Sequence, residues 1–209
     1  MTELPETVPG RTYLLAYDRD RGRLAGRMWL GYTLRAAVLA ELWATGQLIE
    51  RDGRPSVPPT GRPPTDPVLR EVWQEIADDK PRRWDGWIKR NRGGTEAAIR
   101  RQLATQRFLR VEREPTWWRP AKIEITDSRV HTRLDARVGA TLRGPMPIDR
   151  VDARDAAVIA VLVTGDVRTG VSKLQRREYA DRITAAITRC GPPVAGLKRA
   201  LRQARSQIS

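Results

Sequence analysis

The stretch GYTLRAAVLAELWATGQLIERDGR, residues Gly31–Arg54, decides the fold. Its first half is apolar at helical spacing, because Leu34, Val38 and Leu42 recur at every fourth position with alanines between them. This period predicts a helix with a buried apolar face. Gly46 follows the last periodic residue and is typical of a left-handed C-cap, so the helix is expected to end there.

One residue conflicts with a simple buried helix. Arg35 lies inside the apolar run, and a guanidinium is costly to bury unless it meets an anion. Two kinds of partner stay open at this point. The anion is internal, either Glu41 or a carboxylate elsewhere in the chain, or it is external, such as a phosphate group.

The second half of the stretch predicts a short β-hairpin near residues 47–57. Two β-prone segments flank Asp52-Gly53, which is the strongest short-range hairpin signal. The proline-rich run that follows, over residues 53–67, is interpreted as an internal loop, because the segments on either side are too small to fold alone.

The rest of the chain is predicted to be mostly α-helical, in one globular domain over residues 1–209. Its core is expected over about 11–190, before a basic C-terminal helix over 194–209. The most apolar segment, residues 152–167, favours a helix through its alanines, while its β-branched residues leave a strand open. Further helices are predicted within 66–91 with a break at Lys80-Pro81, after Thr95 as N-cap, over Val130–Leu142, and over Lys173–Arg189 with Leu174 on the apolar side.

Charge narrows the class of partner. The 209 residues carry a formal net charge of +14, and the isoelectric point is about 11.1. Arginine supplies most of that charge, and its guanidinium suits bidentate contacts with phosphate. The charge favours a polyanionic partner, namely nucleic acid, anionic lipid or an acidic protein. The alternative is that arginines are simply spread over every exposed face.

The compartment is indicated by features of the whole chain. Cys190 is the single cysteine, which excludes an intramolecular disulfide and suits a reducing compartment. The N-terminus has no apolar signal core. The apolar run Leu34–Ile49 is too short for a bilayer, which needs ~20 residues. These features predict a soluble, cytoplasmic protein that associates peripherally with the inner face of a membrane.

Enzyme chemistry has little support in the sequence. His131 is the single histidine, between Arg129 and Arg133, so any serine or cysteine triad would have to use it. One histidine and one cysteine far apart make a poor zinc site, and the chain has neither a P-loop nor a G-x-G-x-x-G motif. The sequence predicts a protein that is not an enzyme, with no metal site and no cofactor.

A second hairpin is predicted within QRFLRVEREPTWWRPAKIEITD, with Trp117 and Trp118 at its tip. Tryptophan favours the membrane interface, and the neighbouring Arg119 and Lys122 favour anionic headgroups. The tip is therefore expected to insert shallowly into a membrane or to mediate self-association or a protein contact. The alternative is that both rings cap the protein's own core.

Several segments in order resemble the Golgi phosphoprotein 3 domain. They are LLAYDRDRGRL, LRAAVLAELWATGQLIERDGRPSV, DPVLREVWQEIADDKPRRWDGWI, QRFLRVEREPTWWRPAKIEI and DARDAAVIAVLVTGDV, and the likeness runs roughly from Tyr13 to Ile187. The resemblance implies a mostly helical domain with a projecting hydrophobic β-hairpin. Eukaryotic members bind phosphatidylinositol 4-phosphate and hold glycosyltransferases in the Golgi. Bacterial relatives exist without a Golgi, and this chain is similar to those.

The resemblance also implies a site for a lipid headgroup. In the family that site uses a tryptophan and an arginine near the first helix, and two arginines in a later arginine-rich helix. This chain has Gly93 and Glu96 at the two later positions, so the resemblance implies binding of anionic lipid in general, with phosphatidylinositol 4-phosphate as the family's own ligand. The headgroup-binding residues that it implies here are Arg35, Trp29, Arg92, Arg100 and Arg101.

The sequence therefore predicts a non-enzymatic peripheral membrane adaptor that binds anionic phospholipid. The alternative is a nucleic-acid-binding regulator, because a helix followed by the Asp52-Gly53 hairpin in a basic chain suits a winged-helix-like module.

Overall fold

A computed structural model describes residues 4–112 and 122–207. It is 62% helical with small two-stranded sheets, which confirms the mostly α prediction. The helices are α1 Val8–Leu15, α2 Arg27–Ala44, α3 Pro67–Asp78, α4 Trp84–Lys89, α5 Arg92–Thr105, α6 Ser128–Arg143, α7 Ala153–Thr164, α8 Lys173–Glu178, α9 Ala180–Cys190 and α10 Pro192–Ser206. The antiparallel strand pairs are β1 Tyr17–Asp18 with β2 Arg23–Leu24, β3 Ile49–Arg51 with β4 Arg54–Ser56, and β5 Leu109–Glu112 with β6 Lys122–Ile125.

Helix α2 is the centre of the core. Every residue from Leu30 to Leu42 is buried, and helices α1, α5, α7 and α10 all pack against it. The predicted end is confirmed, because Gly46 follows the helix with a φ of 69°. The nearly continuous apolar character of this segment is explained by contact on all sides, since no face of α2 is left for solvent over those thirteen positions.

The helices around α2 define two ends of the bundle. Gly165, directly after α7, approaches Thr33 so closely that a Cβ there would lie 2.2 Å from its Oγ1. Arg205, near the end of α10, lies over the ring of Trp29. Helices α7 and α10 are thus antiparallel to α2, and we call the end that carries the N-terminus of α2 the basal end.

The first predicted hairpin is confirmed. Strands β3 and β4 pair with Ile49 opposite Ser56, and the turn residues Asp52 and Gly53 have φ angles of 51° and 71°. Both angles lie in the left-handed region, which a two-residue hairpin turn requires and which Asp-Gly tolerates well.

The second hairpin is present in its strands. β5 and β6 pair with Leu109 opposite Ile125, and Lys122 begins β6, where its Nζ lies 3.2 Å from Glu112 Oε2. Residues 113–121 lie outside the described residues, and with them Trp117, Trp118 and Arg119. Their role at the tip stays a prediction.

Three helix boundaries differ from the sequence-based expectation. The helix expected over 173–189 is broken at Tyr179 into α8 and α9, and Leu174 is exposed instead of buried. Helix α5 begins at Arg92, so Thr95 lies inside its first turns and is not its N-cap. Helix α10 begins at Pro192, two residues earlier than predicted.

No helix within the described residues is long and apolar enough to cross a bilayer.

Candidate functional site

The anion that Arg35 meets is internal. Its side chain is fully buried and forms an ion pair with Glu75 of α3. Its Nε donates to the Trp87 carbonyl at 3.1 Å, and its Nη1 donates to Thr95 Oγ1 at 3.0 Å. Burial lowers the pKa of Arg35 from its ordinary value, and the adjacent Glu75 opposes that shift. One side chain of α2 is therefore bonded to α3, α4 and α5.

This position corrects two expectations for Arg35. A guanidinium with no exposed surface cannot reach a headgroup outside the protein, so Arg35 is not a direct ligand in this structure. Glu41 is not its partner either. Glu41 is 1% exposed, accepts from the Val8 N–H at 2.8 Å, and pairs with Arg154 at 2.6 Å. The i to i+6 spacing had placed Arg35 and Glu41 on different sides of the helix.

A basic cleft opens at the basal end between the first turns of α2 and α5. Its volume is about 450 Å³. The two helices approach closely there, because a Cβ on Gly31 would lie 3.3 Å from Arg92 Cβ. We call it the α2–α5 cleft, and it is lined by Arg27, Met28, Gly31, Lys89, Asn91, Arg92, Gly93, Gly94 and Glu96.

Backbone N–H groups add to the positive potential of the α2–α5 cleft. The first N–H groups of a helix have no partner within the helix, and they attract anions. The residues before α2 and α5, Gly26 and Asn91, both have left-handed conformations, and neither helix start has a side-chain cap or a first-turn carboxylate among the described residues. A Cβ on Gly93 would meet nothing within 4 Å, so the start of α5 is open to a ligand.

Cations and aromatic rings alternate along one wall beside the cleft. The Arg92 guanidinium lies 4.4 Å from the Tyr32 ring centroid, and the Tyr32 and Trp29 rings are 6.0 Å apart. Arg205 lies 5.7 Å from the Trp29 ring. The cation–π contacts help to hold the guanidinium groups of Arg92 and Arg205 in place. Arg92 Nη1 also donates to the Lys89 carbonyl at 3.3 Å.

The structure separates the headgroup residues that the resemblance implied. Trp29 and Arg92 come together through Tyr32. Arg100 lies further along α5, near Tyr13 and Glu96. Burial raises the pKa of both groups, and the positive charge of Arg100 opposes that shift. Arg101 is exposed and does not line the cleft.

Sequence reasoning missed four basic or aromatic residues of this region. Arg27, Lys89, Tyr32 and Arg205 were not predicted. The sequence could have indicated Tyr32, because it lies three residues after Trp29 and such residues share a helix face. No sequence pattern indicates Arg205, since it reaches Trp29 only through the antiparallel packing of α10.

His131 is buried, with Nδ1 2.9 Å from Asp135 Oδ2 and Nε2 3.2 Å from the Tyr17 carbonyl. Asp135, one helical turn further along α6, therefore holds the imidazole ring in place. Within residues 4–112 and 122–207, no group of three or more potential ligands is placed to hold a metal ion.

A larger cleft, of about 720 Å³, lies at the opposite end of the bundle, beside Glu41 and Asp66. Asp66 caps α3 by accepting from Val68 and Leu69 N–H groups. The carboxylates of Asp66 and Glu41 already have partners inside the protein, and the exposed carboxylate of Glu6 also lines this cleft. The cleft is therefore acidic and does not suit an anionic ligand.

The mostly α-helical fold agrees with a match between the sequence and a known family of domains. The chain is a member of the Golgi phosphoprotein 3 (GPP34) family, whose sequence model matches residues 8–208, nearly the whole chain. The family is known as a non-enzymatic adaptor-type domain. None of the curated proteins compared with the chain matches it.

Proposed function

We propose that this protein is a non-enzymatic peripheral membrane adaptor that binds anionic phospholipid headgroups in the α2–α5 cleft. The observation that carries the proposal is the meeting of two uncapped helix starts with Arg27, Lys89 and Arg92. Phosphate is the anion that such a set favours, because helix N–H groups and guanidinium forks both match its oxygens. Membership of the Golgi phosphoprotein 3 family supports the same class of ligand.

The ligand is anionic lipid in general, with no demand for one inositol headgroup. Arg35 is buried and Arg100 is turned towards Tyr13 and Glu96. The cleft therefore offers the charges of Arg27, Lys89 and Arg92 together with backbone N–H groups. It does not surround a single headgroup with arginines, as a site specific for one inositol lipid would. The membrane face is the cytoplasmic one, which suits a chain with a single, buried cysteine. The Trp117–Trp118 tip is proposed as an additional membrane or self-association contact.

The proposal is tested by vesicle co-sedimentation at physiological salt. We expect binding to phosphatidylglycerol vesicles, little binding to phosphatidylcholine vesicles, and a steep loss as salt rises, because the attraction is screened within about 8–10 Å. A gel shift with mixed-sequence duplex DNA at the same salt is the competing measurement. Tight duplex binding without vesicle binding would favour the nucleic-acid alternative and reject the lipid proposal.

Glu96 gives the proposed binding a pH dependence. Burial raises the pKa of this carboxyl, and Arg100 and Arg27 oppose the shift. Glu96 therefore becomes neutral at a higher pH than an exposed glutamate, and its repulsion of a headgroup disappears as the pH falls. We expect binding to phosphatidylglycerol vesicles to tighten as the pH falls from neutral towards the ordinary pKa of a glutamate.

The variant Glu96→Gln should bind about three- to fivefold tighter at neutral pH, since one charge near a membrane surface is worth about 1 kcal/mol. Its binding should then change little with pH. Asp149→Asn removes one exposed carboxylate outside the cleft and is the matched control. If both variants change binding equally, net charge and not the cleft controls the interaction.

A further inference from the structure

We propose that Leu174, on the outward side of α8, inserts into the headgroup region of an anionic bilayer as a second membrane contact beside the cleft. The inference rests on the proposed function, because it requires the basal end to face a membrane. It concerns a surface that the α2–α5 cleft does not include.

Helix α8 is held firmly against the basal end. Ser172 and Gln175 form a capping box at its start. Arg176 donates from Nε to the Val171 carbonyl at 2.9 Å, and from Nη1 to the Val163 carbonyl at 3.2 Å and to Asp166 Oδ1 at 3.0 Å. These bonds join α8 to the C-terminal end of α7, which lies beside the N-terminal half of α2.

The outward side of α8 presents one large apolar side chain among exposed charges, of which two are cations and one is the carboxylate of Glu178. Arg176 faces inward, so Leu174, two residues earlier, projects on the opposite side of the helix. Leu174 is 72% exposed, and Lys173 and Arg177 are exposed on either side of it. Long cationic side chains beside an apolar group suit the membrane interface, where their charges reach the headgroups.

An exposed leucine alone is ordinary, and its location is what carries the argument. Among the described residues, the large exposed hydrophobic side chains are those of Met28, Met146 and Leu174. Met28 lines the α2–α5 cleft and Leu174 extends from α8, so two of the three lie at the basal end. Met146 lies in the turn between α6 and α7, where its carbonyl accepts from Arg182 of α9 at 2.6 Å.

A bilayer fits this surface better than a protein partner does. Residues 166–178 carry four cations and two carboxylates, which favours an anionic partner. One leucine offers far less apolar area than the roughly 800 Å² per partner of a stable protein interface. A membrane accepts a single shallow side chain, because the cleft and the surrounding cations contribute the remaining attraction.

The test compares Leu174→Ser with Met146→Ser in co-sedimentation with phosphatidylglycerol vesicles. Both side chains are exposed, so both variants should keep the melting temperature of the parent. We expect Leu174→Ser to weaken vesicle binding about three- to tenfold, as expected for the partial burial of one leucine. Met146→Ser should bind like the parent.

A label reports the insertion directly. Cys190→Ala removes the single native thiol, and Leu174→Cys or Met146→Cys in that background takes an environment-sensitive nitrobenzoxadiazole group. Emission from position 174 should rise and shift to shorter wavelength with phosphatidylglycerol vesicles, while position 146 stays unchanged.

The outcomes separate the two proposals. If the parent binds these vesicles while Leu174→Ser binds equally well, or while the label at 174 does not respond, the anchor is rejected and the cleft proposal survives. Equal responses from positions 174 and 146 indicate non-specific adsorption and also reject it. If the parent does not bind at all, the proposed function fails, and the anchor fails with it.

Discussion

Replacing Arg35 with alanine is expected to lower the free energy of unfolding by about 3–5 kcal/mol, the usual cost of removing one partner from a buried ion pair. The change leaves the Trp87 carbonyl and the Thr95 hydroxyl without the donor that they have in the native protein. It also removes the main partner of Glu75. For a chain of this size the melting temperature should fall by about 6–20 °C.

Thermal and urea unfolding of the purified variant measure this effect. Arg101→Ala is the matched control, because Arg101 is an exposed arginine of α5 and should change stability little. The double variant Arg35→Met with Glu75→Leu should recover much of the loss, since an apolar pair can replace a buried ion pair. Unchanged stability of Arg35→Ala, with vesicle binding lost, would return Arg35 to the lipid site.

The second large effect concerns the cleft itself. Arg27→Gln with Arg92→Gln is expected to weaken binding to phosphatidylglycerol vesicles about 30-fold, because each basic residue near an anionic surface contributes about 1 kcal/mol. Both residues line the α2–α5 cleft and are exposed, so the fold should survive. The dependence of binding on salt should become shallower in the same variant.

The control for this pair removes the same charge elsewhere. Arg62→Gln with Arg101→Gln changes two exposed arginines that do not line the cleft. If this control loses as much binding as the cleft variant, the whole basic surface attracts the membrane without a defined site. A cleft variant that binds like the parent would reject the α2–α5 cleft as the headgroup site.

Local patterns predicted most elements of this fold. The four-residue period of α2, the Asp-Gly turn between β3 and β4, and the alanine-rich apolar run of α7 are all local signals, and the structure has each of these elements. The break between α8 and α9 was missed. A single helix over 173–189 would have needed Leu174 and Ala180 on its apolar side. The two are six residues apart, a spacing that does not keep both on one helix face, and both are exposed in the structure.

Long-range pairing was the part that sequence alone could not supply. The partner of Arg35 is 40 residues away on another helix, so no spacing rule identifies Glu75 in place of Glu41. The α2–α5 cleft likewise requires α5 to pack beside α2, and this packing joins residues that are far apart in the sequence. The sequence also placed the start of this helix after Thr95, so Gly93 and Gly94 were not expected inside its first turn.

The buried bonds of Arg35 have a kinetic consequence for the cleft. Thr95 lies one turn beyond Arg92, so the bond from Arg35 fixes the start of α5 to the interior of the protein. A headgroup then meets donors that are already in place, and little conformational entropy is lost when it binds. Association with a vesicle should therefore be limited by encounter and not by a rearrangement of the protein.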